Sequence, residues 1–214
     1  MNKTLGAVIA AATLTLASQA PAAVINFSGV SGTGASGATG IAGITYNATA
    51  FYGTNPHPTG STAGLVGVTN LDGLGVADAG ENPAAPGLGR RLDGATAGTW
   101  EMLTITFSGA LDLTNFVLGL MDPDDDFEYS INGGLFTTMA AAAGPASESR
   151  TYVMNLANVT SFSIRATGEV GDTGDDFTLL SADVSAAVPL PAGAPLLLAG
   201  LAGLAVLRRR KNAA

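Results

Sequence analysis

Apolar and polar side chains alternate in several short runs through the middle of the chain. From Trp100 to Phe107 the alternation places Leu103, Ile105 and Phe107 on one face. A period of two residues indicates a β-strand with one buried side. Runs of similar character predict further strands at 44–52, 116–121, 127–131, 135–139, 152–155, 161–167 and 176–185.

Turn residues separate these runs and suggest how they connect. Asn132-Gly133, followed by Gly134, predicts a tight hairpin between the strands at 127–131 and 135–139. Seven or eight short strands with Gly-rich turns predict an all-β fold, an antiparallel β-sandwich of jelly-roll-like type. We expect this ectodomain to occupy residues 44–187, preceded by a flexible Gly/Ser-rich segment at 23–43.

The first 22 residues have the three parts of a secretion signal. Lys3 gives a positive start, residues 5–17 form an uncharged apolar run, and Ala20 and Ala22 make a small-x-small cleavage pattern. The sequence therefore predicts a signal helix that signal peptidase removes after Ala22.

The last 27 residues have a different three-part order. A short motif comes first, then an apolar segment at 195–207, then a basic cluster. At about 1.5 Å per residue, a helix over 188–207 would just cross the roughly 30 Å of a bilayer core. The basic cluster would stay cytoplasmic and stop transfer. The motif is Val188, Pro189, Leu190, Pro191 and Ala192, and the cluster is Arg208, Arg209, Arg210 and Lys211.

This tail resembles the PEP-CTERM type of sorting signal, most closely its VPLPA variant, although Leu190 stands where the family name has Glu. The resemblance implies export in a Gram-negative bacterium and transient anchoring in the inner membrane through residues 195–207. It also implies recognition and cleavage near the motif by an exosortase, a membrane transpeptidase. Delivery to the outer surface or extracellular matrix, often with exopolysaccharide, would follow. A plain permanent anchor is the alternative.

Charge separates the middle of the chain from its ends. Between residues 23 and 187 there are four basic and seventeen acidic residues, a net charge of −13. Such a surface repels phosphate backbones, so we expect no nucleic-acid partner. It suits cations or neutral partners such as glycans. Cysteine is absent from the sequence, which excludes thiol nucleophiles and cysteine-ligated metal centres.

Two acidic clusters are the candidate metal ligands. Five carboxylates crowd into residues 122–128, and a second group lies just before the last predicted strand. Calcium prefers six to eight oxygen ligands, which aspartates in loops supply. An EF-hand fails, because Phe127 would occupy its glycine position. The alternative is a solvated acidic turn. The tentative calcium ligands are Asp122, Asp124, Asp126, Glu128, Asp172, Asp175 and Asp176.

No constellation predicts catalysis, so we expect a non-enzymatic surface or matrix protein. His57, the only histidine, lies in a Pro-rich turn, and the crowded acids lack a desolvated partner for glycosidase work. A carbohydrate-binding module is the alternative, with Trp100, Tyr129 and Tyr152 as a sugar-stacking platform or as core. A secreted hydrolase is the third interpretation.

Overall fold

Eleven β-strands make up the regular structure of the described chain. The computed structural model describes residues 20–27, 35–54, 62–69, 73–77, 91–93, 99–140, 143–167 and 175–187. The strands are β1 (Ala22–Asn26), β2 (Ala35–Ala38), β3 (Thr45–Thr54), β4 (Thr62–Thr69), β5 (Gly73–Ala77), β6 (Leu92–Asp93), β7 (Thr99–Met121), β8 (Asp126–Ile131), β9 (Thr137–Ala140), β10 (Glu148–Thr167) and β11 (Asp176–Ala186).

Each pairing among these strands is antiparallel, and nine of them follow one continuous path, β1-β11-β5-β4-β3-β7-β10-β8-β9. The remaining two attach at the side, β2 to β3 and β6 to β11. The predicted all-β, antiparallel, sandwich-like fold is confirmed. Among the residues described, no helix is long and apolar enough to cross a membrane. The predicted signal helix and the hydrophobic helix at 195–207 lie outside those residues.

Strand β7 is central because its two halves have different neighbours. Its first half, 99–107, lies between β3 and the second half of β10. Its second half, 111–119, lies between β11 and the first half of β10. Residues 107–110 separate the halves, where the register against β10 shifts. β7 thus links the strands beside its first half with those beside its second half. Corners of some sandwiches are made in this way, by strands that change sheets.

Strand β10 bends alongside β7 by means of two left-handed asparagines. The register shifts on either side of Leu156, where Asn155 has φ 51° and Asn158 has φ 57°. Asparagine tolerates this conformation better than most residues, so it suits a bulge. The predicted strands at 152–155 and 161–167 are therefore one strand, since the bulges interrupt its alternation without ending its pairing.

The turn after β8 fastens this bend. Asn132 and Gly133 both have positive φ, as the predicted hairpin requires. The Asn132 side chain accepts hydrogen bonds from the backbone N–H groups of Thr160 (2.7 Å) and Ser161 (3.1 Å). It also donates to the carbonyl of Asn158 at 3.0 Å. The β8–β9 hairpin is confirmed, with β9 starting two residues later than predicted.

Aromatic rings join the two halves of the fold. Phe116, on the second half of β7, has its ring centroid 5.0 Å from Phe162, 5.4 Å from Tyr152 and 5.8 Å from Phe127. These rings belong to β10 and β8 and are buried. The predicted inward face of Leu103, Ile105 and Phe107 is buried in the same core.

The sheet begins earlier than the sequence predicts. Strand β1 begins at Ala22 and continues into the Gly/Ser-rich segment 23–43, which also contains β2, and the two strands pair with β11 and β3. Strands β4 and β5 form a hairpin in a Gly-rich stretch that carries few large side chains. Gly73, with φ 95°, lies so close to β11 that an added Cβ would be 2.4 Å from the carbonyl oxygen of Leu179. Glycine here permits close strand approach, a use that composition alone conceals.

Removing the ring of Phe116 should cost much of the stability of the domain. We expect Phe116→Ala to lower the free energy of unfolding by about 3–5 kcal/mol, because the three neighbouring rings lose a shared partner. Urea denaturation measures the change. Leu135→Ala is the control, since Leu135 is 94 % exposed and its truncation should change stability by no more than about 0.5 kcal/mol. Equal effects of the two substitutions would contradict this core assignment.

Candidate functional site

The same tripeptide opens two strands that meet in the fold. Asp125-Asp126-Phe127 leads into β8, and Asp175-Asp176-Phe177 leads into β11. The backbone N–H of Asp126 donates to Oδ1 of Asp175 at 2.9 Å, and that of Asp176 donates to Oδ1 of Asp125 at 3.4 Å. We call this reciprocal arrangement the Asp-Asp-Phe junction. The rings of Phe127 and Phe177 lie beneath it, 5.9 Å apart.

The first aspartate of each tripeptide is buried. Asp125 is 4 % exposed and Asp175 is 1 % exposed. Burial raises the pKa of Asp125 to about 6, an effect that the negative charges of Asp176 and Asp122 reinforce. Hydrogen bonds from the backbone N–H groups of Asp122 and Asp176 oppose the rise. The N–H of Asp122 donates to Oδ2 of Asp125 at 2.5 Å. Asp125 is thus poised to gain a proton in mildly acidic solution.

Two arginines approach the junction from other segments. Arg91 forms an ion pair with Asp176. Arg150 is buried, and its Nη2 donates to the carbonyls of Met121 (3.2 Å) and Pro145 (3.0 Å). These contacts join β10 to the end of β7, next to Asp122, and to the loop that contains Pro145. The carboxylates accept hydrogen bonds from backbone N–H groups, Arg150 donates to backbone carbonyls, and Arg91 pairs with Asp176. The junction therefore serves chiefly to join strands.

The structure brings the two predicted acidic clusters together, but it divides the candidate calcium ligands among different partners. Asp124 is exposed, and Asp122 accepts from the backbone N–H of Ser147 at 2.6 Å. Glu128 forms an ion pair with Arg165, which lies opposite it on the neighbouring strand β10. Within the described ranges, no three acidic or histidine side chains are grouped to hold a metal ion. Asp172 lies outside those ranges, so the calcium site stays a prediction.

The proposed sugar-stacking aromatics are part of the core. Trp100 is 1 % and Tyr152 is 5 % exposed, and Tyr129 packs partly buried against the core. A platform made of these three rings is therefore wrong, because two of the rings are buried and the third packs against the core. His57 lies outside the described residues.

The processing residues are described only in part. Ala20 is half-buried, while Ala22 is exposed and opens β1. The motif Val188, Pro189, Leu190, Pro191 and Ala192 and the cluster Arg208, Arg209, Arg210 and Lys211 lie outside the described residues.

The sequence did not predict the roles of Asp125 and Arg150. The signal for Asp125 was present as a repeated Asp-Asp-Phe, each copy placed at the start of an apolar strand. Nothing in the local sequence marks Arg150, because its carbonyl partners come from a distant strand and a loop. A scan against protein-family models gives no match for this chain, and a search of curated proteins gives none either.

Calcium should raise the melting temperature if the predicted site forms. We expect the melting temperature to rise when EDTA is replaced by calcium. Asp126→Asn should abolish this rise because a carboxylate ligand is lost. Thermal unfolding monitored by circular dichroism measures both proteins. Asp183→Asn, a change in another part of β11, is the control and should keep the rise. An unchanged melting temperature in the parent protein would end the calcium interpretation.

Asp125 should make stability fall as the pH rises. Its pKa in the folded state is about 6 against a usual 3.8, so the folded state holds a proton that the unfolded state releases. The associated stability is full below about pH 4, is lost between about pH 4 and 6, and is constant above that. The change is at most about 3 kcal/mol. Asp125→Asn should remove this component, as measured by urea midpoints from pH 4 to 7.

The exposed neighbour Asp124 supplies the control for this titration. Asp124→Asn should keep the pH dependence of the parent protein, because no buried carboxylate changes. Identical pH profiles for Asp125→Asn and the parent would show that Asp125 does not titrate in this range.

Proposed function

We propose that the chain is an exported, non-catalytic protein of the cell surface or extracellular matrix of a Gram-negative bacterium, processed at both ends. Signal peptidase would cut after Ala22. An exosortase would cut near residues 188–192 while residues 195–207 hold the chain in the inner membrane. The sandwich-like domain between these points would then be released to the outside, where exopolysaccharide is a candidate neighbour.

The position of the two ends of the described unit supports this proposal. Strand β1 pairs with β11, so that Ala23, the first residue after the proposed cut, lies opposite Val184. The chain therefore enters and leaves this unit at one corner. This arrangement suits a domain whose two flanking segments both meet one membrane surface, although neighbouring chain ends are common in domains.

The order of events follows from the same contact. The bond between Ala22 and Ala23 lies within the β1–β11 ladder, and peptidases act on chain that is free to enter their site. Cleavage of the signal would therefore precede the pairing of β1. Residues after Ala187 follow the last strand, so the second cut is compatible with a folded domain.

Two finer features belong to this proposal. The strand order would be of the jelly-roll-like type, with helices formed by the signal and by residues 195–207. The proposed non-catalytic role is supported by the structural use of four described carboxylates, since Asp125 and Asp175 accept from backbone N–H groups and Glu128 and Asp176 pair with arginines. The carbohydrate-binding alternative cannot use the three-ring platform and would require another face of the domain.

Mass spectrometry of protein recovered from the cell exterior tests the proposed route. We expect a mature chain that begins at Ala23 and lacks the terminal basic cluster, because both membrane segments are removed. Scrambling residues 188–192 while keeping 195–211 should leave the protein in the membrane fraction. The double substitution Leu135→Ala/Val153→Ala, at two exposed positions of the domain, should leave release unchanged. External protein that still carries Lys211 would contradict the sorting proposal.

A further inference from the structure

One outward face of the fold carries two ranks of hydroxyl and amide side chains. Strands β2, β3, β7 and β10 lie side by side, and their registers align Ser36 with Asn47, Asn47 with Thr106, and Thr106 with Ser161. Ser36, Asn47 and Thr106 are exposed, whereas Ser161 is half-buried. With about 4.8 Å between strands, this first rank is about 14 Å long.

A second rank lies two residues along the same strands. Thr49 is opposite Thr104, and Thr104 is opposite Ser163. The Oγ1 of Thr104 and the Oγ of Ser163 are 2.9 Å apart, and the hydroxyl of Thr49 donates to the carbonyl of Thr104 at 3.5 Å. The shorter of these contacts fixes the orientation of the Thr104 and Ser163 hydroxyls relative to each other. We name the two ranks together the hydroxyl face.

The inner side of these strands explains why the face is regular. Tyr46, Ala48 and Ala50 alternate with Asn47 and Thr49 and are buried in the core. Because successive side chains point to opposite sides of a strand, the packing of the first set fixes the orientation of the second. The hydroxyl face is thus the rigid reverse side of the core.

Charge is excluded from both ranks. In a domain with a net charge of −13, these positions carry neither acids nor bases. The next rank has Phe51 and Met102 beside the ion pair of Arg165 and Glu128, which neutralise each other. An occupant of this face meets a neutral surface inside an acidic domain. A neutral molecule is complementary to such a surface, whereas a polyanion is repelled by its surroundings.

The hydrogen-bonding capacity of the hydroxyl face limits the kinds of molecule that would bind there. Hydroxyl groups both donate and accept, so a polyhydroxylated partner can satisfy them in either direction. The two ranks hold no apolar side chain, whereas the centres of protein–protein interfaces are apolar. A rank that crosses four strands exceeds a single sugar ring in length. We propose that the hydroxyl face binds a neutral polysaccharide chain, with Phe51 and Met102 providing an apolar margin along one side.

The hydroxyl face is the surface that the carbohydrate-binding alternative requires. The proposal rests on the proposed function only in assuming that the polysaccharide is met outside the cell. Binding is measured with the whole chain in a sugar-free polyoxyethylene detergent. The probes are hydroxyethylcellulose and dextran in native affinity gels, microcrystalline cellulose in sedimentation, and polygalacturonate as the charged comparison. Binding is measured on purified protein, so it does not depend on whether the export proposal is correct. Lack of binding, in turn, would not contradict the export proposal.

Substitutions on β7 and β3 compare binding with and without a charge in the hydroxyl face. Thr106→Glu places a charge in the centre of the hydroxyl face, and we expect the dissociation constant for a retained neutral polymer to rise at least about tenfold. Asn47→Glu, on the neighbouring strand, should act in the same direction. Thr114→Glu is the matched control, since Thr114 is exposed on the other half of β7. All three proteins should melt within a few degrees of the parent.

The opposite results are equally specific. Lack of retention by all three neutral polymers would overturn the proposal, as would retention that neither Thr106→Glu nor Asn47→Glu weakens. Stronger binding to polygalacturonate would assign the protein to acidic polymers instead. A dimer in light scattering that Thr106→Glu dissociates would make a second copy of this chain the occupant.

Discussion

The fold depends on the ability of β7 to pair with three different strands. A strand of ordinary length could serve one part of a sandwich, but β7 extends for 23 residues and serves both. The interruption at 107–110 lets the strand change neighbours while its inward side chains stay in one core. β10 follows the same path beside it, with its own bulges. The core, the hydroxyl face and the Asp-Asp-Phe junction are all placed by this shared bend.

The sequence revealed those elements whose local pattern also decides their tertiary position. The alternation around Leu103 and Ile105 was sufficient, because burial on one side of a strand needs only a period of two. Asn132-Gly133 was sufficient for the hairpin, since few other pairs accept two positive φ angles. Strands β4 and β5 were missed because Gly and Ala contribute little to such a pattern. They pair with each other and with β3 and β11, and the local sequence does not show which strands will be their neighbours.

The candidate site shows the same limit. Crowded acids indicated that residues 122–128 and 172–176 are special, and the fold does bring parts of both together. The local sequence could not indicate that Asp125 would accept a bond from Asp176 while Asp126 donates to Asp175. Such a reciprocal contact requires knowledge of which strands start side by side. It also explains why two carboxylates can be buried in an acidic domain, since backbone N–H groups oppose part of their desolvation.

Strand β1 completes its pairing only with the last strand of the unit. Phe27 follows β1, and its N–H donates to the carbonyl of Leu180, far along the chain. During synthesis from the N-terminus, this edge has no partner until β11 leaves the ribosome. Closing so long a loop is slow and gains stability only at the end. Strand β1 and the second half of β7 therefore gain their shared neighbour last, so that the pairing of this unit is complete only once its final strand has been made.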